Sequence, residues 1–210
     1  MLIFGHTGIT LGMVMLLNGA LTRRYSLKQQ ETSKHIGYSA HFLPEQVRSK
    51  GSRLSSFVKN HLDIRLLVIG SLLPDIIDKP VGQFFFRQTY SNGRIFCHTL
   101  LFLIVIILAG YCLYRVRRKT WLIVLSVGTF SHLVLDQMWL DYRTLLWPAY
   151  GLAFKKLDLT HWVQQQFYHL GADPTTYVPE IIGLVILSVF VVELVRRRRV
   201  GSFIRNGQLR

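Results

Sequence analysis

Four stretches of the chain stay apolar for about the 20 residues that a helix needs to cross a hydrocarbon core. They are Met1–Leu21, Ile95–Tyr114, Trp121–Leu140 and Val178–Val195. A fifth, Leu66–Ile77, is shorter and is interrupted by Pro74 and Asp75. Basic residues collect between these runs. Arg23, Arg24, Lys28, Lys34, Arg48, Lys50, Arg53, Lys59 and Arg65 precede Leu66–Ile77, while Arg115, Arg117, Arg118 and Lys119 follow the Ile95 run and Arg196–Arg199 follow the last. The positive-inside rule puts all three sets in the cytoplasm. The Ile95 run must then enter from outside, so the chain has to cross once between Arg65 and Ile95, and only Leu66–Ile77 is available. The pattern predicts five transmembrane helices, over about 1–21, 66–80, 95–114, 120–140 and 178–195, with the N-terminus outside and the C-terminus in the cytoplasm.

Two stretches between the spans carry helical periodicity. In the basic cytoplasmic segment 22–62, Leu54, Phe57, Val58 and Leu62 have the spacing of a helix lying on anionic lipid. In the outer segment 141–177, Leu159, Trp162, Val163, Phe167 and Leu170 form one apolar stripe, and Asp158 and Thr160 stand where caps are expected. Trp139, Tyr142, Trp147 and Tyr150 suit an aromatic belt at the outer headgroups. The first run reads as a span and not as a cleaved signal, because Arg23 and Arg24 follow the apolar stretch. The expected fold is therefore a single all-α domain, a polytopic membrane helix bundle with one or two interfacial helices.

Composition agrees and removes alternatives. Half of the residues (50%) are hydrophobic, which excludes a disordered chain, and 17% are charged, against about 25% in soluble domains. A formal charge of +14 in a soluble protein would point to nucleic acid. Here the cations flank apolar runs without interleaved aromatics, so the expected partner is the lipid bilayer and not nucleic acid. Cys97 and Cys112 lie in one run, roughly 22 Å apart along a helix, and read as packing residues.

Ionisable residues inside membrane spans are costly and mark candidate sites. His6 lies in the first run, Asp75 and Asp78 at the end of the second, His98 near the start of the third, and His132 and Asp136 in the fourth. The topology, derived without reference to these six, puts them all toward the outer leaflet. Helix rise counted from the cytoplasmic arginines sets His6, His98 and Asp136 roughly 24–26 Å up, and Asp75 at about 15 Å. His132 and Asp136 are i,i+4 and share a helix face. Imidazoles and carboxylates without thiolate suit Zn²⁺, with Mn²⁺ or Fe²⁺ as alternatives, and so many donors suffice for one or two ions. Asp78, or whichever Asp is not fully ligated, is the expected general base, with metal ligation and an ion pair to Lys79 as the alternatives for Asp78. Glu180 and Glu193 read as snorkelling or Arg-paired, and His35, His41, His61, His161 and His169 as solvated or capping residues. Arg94 and Arg143 are candidates to hold a substrate phosphate or a lipid headgroup.

These motifs resemble the membrane-bound metal-dependent hydrolases of the YdjM type. The matching pieces are Gly5-His6-Thr7, Gly70-Ser71-Leu72-Leu73-Pro74-Asp75-Ile76-Ile77-Asp78, Phe96-Cys97-His98-Thr99-Leu100, Ser131-His132-Leu133-Val134-Leu135-Asp136 and Leu145-Leu146-Trp147-Pro148. The resemblance implies metal ligation by His6, Asp75, His98, His132 and Asp136. A more distant similarity, through G-x-x-x-P-D and H-x-x-x-D, is to zinc-dependent phospholipase C proteins. The expected activity is hydrolysis of a phosphoester or other ester bond in a lipid or lipid-linked substrate by metal-activated water. The alternative is a non-catalytic metal-binding membrane protein, such as an ion carrier or a metal-stabilised partner subunit.

Overall fold

A computed structural model of the chain describes residues 2–36, 62–156, 164, 168 and 170–207. Among these residues the regular elements are all helical, as the hydrophobic pattern predicts. They are α1 (Ile3–Ile36), α2 (Ile64–Lys79), α3 (Leu100–Arg117), α4 (Trp121–Leu135), α5 (Tyr142–Leu145), α6 (Pro174–Arg196) and α7 (Val200–Asn206). A π-helical turn, Pro80–Phe85, follows α2, and a 3-10 turn, Met138–Asp141, precedes α5.

Fewer helices meet the length and apolarity of a span than the five predicted. Leu100–Arg117 and Pro174–Arg196 do, and α4 with Met138–Leu145 makes a third if that pair, bent by 77°, is one span. The α1 stretch Ile3–Leu17 is apolar but short. The α2 helix has 16 residues and contains Pro74, Asp75 and Asp78.

Helix limits differ from the apolar runs for local reasons. No Gly or Pro occurs between Thr22 and Ile36, so α1 continues through Arg23 and Arg24, where a loop was expected. Thr99 is extended, and its Oγ1 accepts the Phe102 N–H at 3.1 Å. That cap starts α3 at Leu100 and leaves Ile95–His98 in the preceding loop. At the far end of α4 the helix stops at Leu135, five residues before the apolar run ends, because Gln137 takes a left-handed conformation (φ 52°). Asp173 accepts the Thr175 N–H at 3.0 Å, with Pro174 at the first helical position, and so begins α6. Leu54, Phe57, Val58, Asp158, Leu159, Thr160, Trp162, Val163 and Phe167 lie outside the described residues; Leu170 is helical.

Close backbone crossings hold the bundle together. A Cβ on Gly70 would strike the Leu125 carbonyl, and one on Gly128 would meet the Leu67 carbonyl and lie 2.7 Å from the Ser71 nitrogen. Without side chains there, α2 and α4 approach closely enough for Thr129 Oγ1 to donate to the Gly70 carbonyl at 3.3 Å. The same small-residue packing joins α1 to α6 at Gly8 and Gly183. An apolar cluster of Leu11, Ile64, Phe190 and Leu194 fills one end of the bundle. The start of α1, the end of α2, the approach to α3, the end of α4 and the first turns of α6 meet at the other.

Candidate metal centre

His6 enters the interior because the start of α1 is tied to α6. The N–H groups of Leu2, Phe4 and Gly5 donate to the Glu180 carboxylate at 2.6, 3.0 and 3.1 Å. Glu180 is buried, and it supplies the acceptors that a helix N-terminus lacks while matching the positive end of the helix dipole. The expectation that it snorkels or pairs with Arg is corrected: its charge is met by three backbone donors. Glu193, by contrast, is exposed and pairs with Arg197 at 2.5 Å.

The α2 helix persists past Pro74, so Asp75 and Asp78 both project from its last turns. Asp78 is fully buried. It accepts from the N–H groups of Ile95, Cys97 and His98 at 2.9, 3.0 and 3.2 Å, and from His98 Nδ1 at 2.7 Å. The general-base role expected of Asp78 does not fit this surrounding, since both of its oxygens are engaged inside the protein. Its alternative pairing with Lys79 is also overturned. Adjacent helix residues point apart, and Lys79 Nζ instead meets Asp75 Oδ2, four residues back, at 2.6 Å.

His98 and His132 are held in a mutually consistent tautomer. A carboxylate and a carbonyl both accept, so His98 Nδ1 donates to Asp78, and His132 Nδ1 donates to the Ser71 carbonyl at 2.7 Å. When both rings are neutral, their Nε2 atoms carry lone pairs, and these face each other at 3.2 Å. Two acceptors this close, both with 0% exposure, are satisfied by a shared proton or by a metal ion that both ligate. Asp75 Oδ1 lies 3.6 Å from His98 Nε2 and 3.9 Å from His132 Nε2, while Asp136 Oδ2 lies 3.9 and 4.0 Å from the same two atoms. The ring of His6 stacks on His132 with centroids 4.1 Å apart. Its Nε2 is 3.2 Å from Asp136 Oδ1, and its Nδ1 has no hydrogen-bond partner among the described residues.

All five side chains expected as ligands therefore come together. His6, Asp75 and His132 offer donor atoms within 4.8 Å of one another, and so do His98, His132 and Asp136. Ligand bonds of about 2.0–2.2 Å separate neighbouring donors of one ion by roughly 3–3.6 Å, close to the spacings seen. Asp75 joins the others despite its lower expected depth. The i,i+4 reading of His132 and Asp136 also matches, with Asp136 at the position that ends α4.

Several neighbours had no sequence signal or only a weak one. Arg94 reaches Asp136 Oδ2 at 2.8 Å, whereas Arg143, the other candidate, is exposed on α5. The Ser71 carbonyl and the Glu180 cap are through-space partners that no spacing announces. Only the i,i+4 relation of Asp75 and Lys79 was available from numbering. Cys97 is buried and free, Cys112 exposed and free. His35 lies in the last turn of α1, and His41, His61, His161 and His169 lie outside the described residues.

The family profile of the YdjM inner membrane protein matches residues 1–200. The chain belongs to the YdjM inner membrane protein family. No curated protein and no solved structure matches it at a significant level. The YdjM match takes in every residue of the His/Asp cluster and the helices that carry it, so the cluster lies within the family's domain and not in an appended segment.

Proposed function

We propose that this YdjM-family protein is a membrane-bound, metal-dependent hydrolase that cleaves a phosphoester or other ester bond in a lipid or lipid-linked substrate. The observation that carries the reading is the facing pair of Nε2 atoms on His98 and His132, each fixed by a donating Nδ1 and flanked by two carboxylates. His6, Asp75, His98, His132 and Asp136 would hold one or two divalent ions, with Zn²⁺ fitting the N/O donor set best and Mn²⁺ or Fe²⁺ next. When bound, such an ion supplies a Lewis acid that generates a nucleophile from water near neutral pH. Asp78 acts as a positioning residue, holding His98 through Nδ1. Asp75, the least buried of the cluster's three carboxylates (side chain 12% exposed), would serve as a ligand through Oδ1, its Oδ2 being held by Lys79.

Five crossings, N-terminus outside, remain the proposed arrangement. Support comes from the alternating polarity of the helices around the cluster: α1 and α6 start there, α2 and α4 end there, and α3 starts there. Arg65, Arg115, Arg117 and Arg196 sit at the opposite ends of their helices, which by the positive-inside rule supports a cluster toward the outer face.

Metal analysis of detergent-purified protein, followed by a hydrolysis screen, tests the function. Metal-replete wild type should cleave at least one phosphoester, carboxyl ester or amide, and His132→Ala should lose both metal and activity. Tight metal binding with no hydrolysis in a broad screen would reject the enzyme and leave a non-catalytic metal-binding membrane protein.

A further inference from the structure

We propose that Lys79 and Arg94 form an anion-binding rim over the His/Asp cluster and recognise a phosphate oxyanion of the substrate. The inference rests on the hydrolase reading and narrows its ester to a phosphoester. Exposure rises steadily from floor to rim: the His98 and His132 side chains are at 0%, Asp136 at 4%, Asp75 at 12%, Lys79 at 32% and Arg94 at 43%. The floor consists of acceptors, namely carboxylate oxygens and Nε2 lone pairs. The rim consists of donors.

Among the described residues each rim cation is anchored by one side-chain contact, Lys79 Nζ to Asp75 Oδ2 at 2.6 Å and Arg94 to Asp136 Oδ2 at 2.8 Å. An ammonium has three N–H donors and a guanidinium five, so both keep donors to spend on a ligand. The two anchoring carboxylates both lie within 4.0 Å of one atom, His132 Nε2. The cations they hold therefore border the same cluster on its more exposed side.

Charge balance points the same way. Among the described residues, three carboxylates, Asp75, Asp78 and Asp136, stand against the two cations Lys79 and Arg94, a small formal excess of negative charge. One divalent ion reverses that sign. A net positive site with low-dielectric walls favours an anionic ligand over a neutral ester, and guanidinium matches phosphate geometry through its planar fork.

The test uses the full chain in detergent, loaded with Zn²⁺ and titrated with inorganic phosphate by calorimetry. Wild type should bind phosphate. Arg94→Gln and Lys79→Gln should each weaken binding by about tenfold or more, as loss of a charge-assisted hydrogen bond implies, with zinc content unchanged. Arg94→Lys and Lys79→Arg should recover part of the loss. Undiminished phosphate binding in the Gln variants would overturn the proposal, and so would zinc loss in those variants, since the cations would then serve only to neutralise ligands. Displacement of phosphate by mixed micelles of phosphatidic acid would assign the oxyanion to a lipid headgroup. Displacement by p-nitrophenyl phosphate but not by the micelles would assign it to a soluble ester. Wild type that binds phosphate but cleaves nothing keeps the rim and rejects the hydrolase. Wild type that cleaves a neutral carboxyl ester without binding phosphate does the reverse.

Discussion

A carboxylate that accepts three backbone N–H groups and an imidazole inside a protein has no lone pair turned toward a substrate. That is the position of Asp78. Asp78→Asn replaces one acceptor oxygen with an NH₂ facing backbone donors, at a cost of about 1–3 kcal/mol. It should also lower metal affinity by roughly 10–100-fold, the usual effect of losing an outer partner of a ligating histidine. Excess metal should then restore most of the turnover. Were Asp78 the general base, turnover would fall by about 10²–10⁴-fold with metal still bound; metal content and rate measured together decide. His132→Ala and Asp136→Ala remove donors common to the facing pair and its flank, and each should abolish metal content by elemental analysis along with any hydrolysis.

At the level of elements, the site depends on two helix crossings and a cap. Gly128→Val puts side-chain atoms against the Leu67 carbonyl and the Ser71 nitrogen. Ser71 supplies the carbonyl that orients His132, so this change should lower both Tm and metal content. Gly19, where a Cβ meets nothing within 4 Å, is the control: Gly19→Ala should be neutral or stabilising by up to about 1 kcal/mol. Glu180→Ala leaves the N–H groups of Leu2, Phe4 and Gly5 without their acceptor and should destabilise the bundle and loosen His6. At the start of α2, burial pushes the Asp63 carboxyl up, but hydrogen bonds from the Arg65 side chain and backbone outweigh it and hold it below the usual carboxylate range. A depressed value means stability that is present above the unfolded value, about pH 3.9, and lost as pH falls through the folded one. Asp63→Asn keeps a capping side chain, so it should flatten the acid limb of a Tm-against-pH curve while changing Tm at pH 7 little.

At the scale of the whole molecule, the orientation can be read directly. A cysteine introduced at Ser202 in α7, in a Cys112→Ser background, should resist an impermeant maleimide in intact cells, and one at Ser91 should react. Reaction at 202 and protection at 91 would invert the bundle and move the cluster to the cytoplasmic side. Much of this architecture is legible in one sequence. Hydrophobic runs announce helices because a backbone in lipid must satisfy its own hydrogen bonds. Six ionisable residues stand out because lipid makes each of them costly. Limits such as Leu100 and Leu135 are less legible, since a cap or a left-handed residue inside an apolar run does not change its hydropathy.

What the sequence determined by itself is the all-α membrane class and the set of ionisable residues that stand out as candidate donors, since both follow from the free energy of single residues in a low-dielectric medium. What only the tertiary structure decided is how those donors divide the work. Asp78 turns onto the loop 95–98, Glu180 caps a helix from another part of the chain, and Arg94 reaches Asp136. None of these is a property of spacing along a helix. Each arises where separate helices meet and a buried charge takes whichever donors the crossing brings within about 3 Å, and a linear pattern does not record where helices cross.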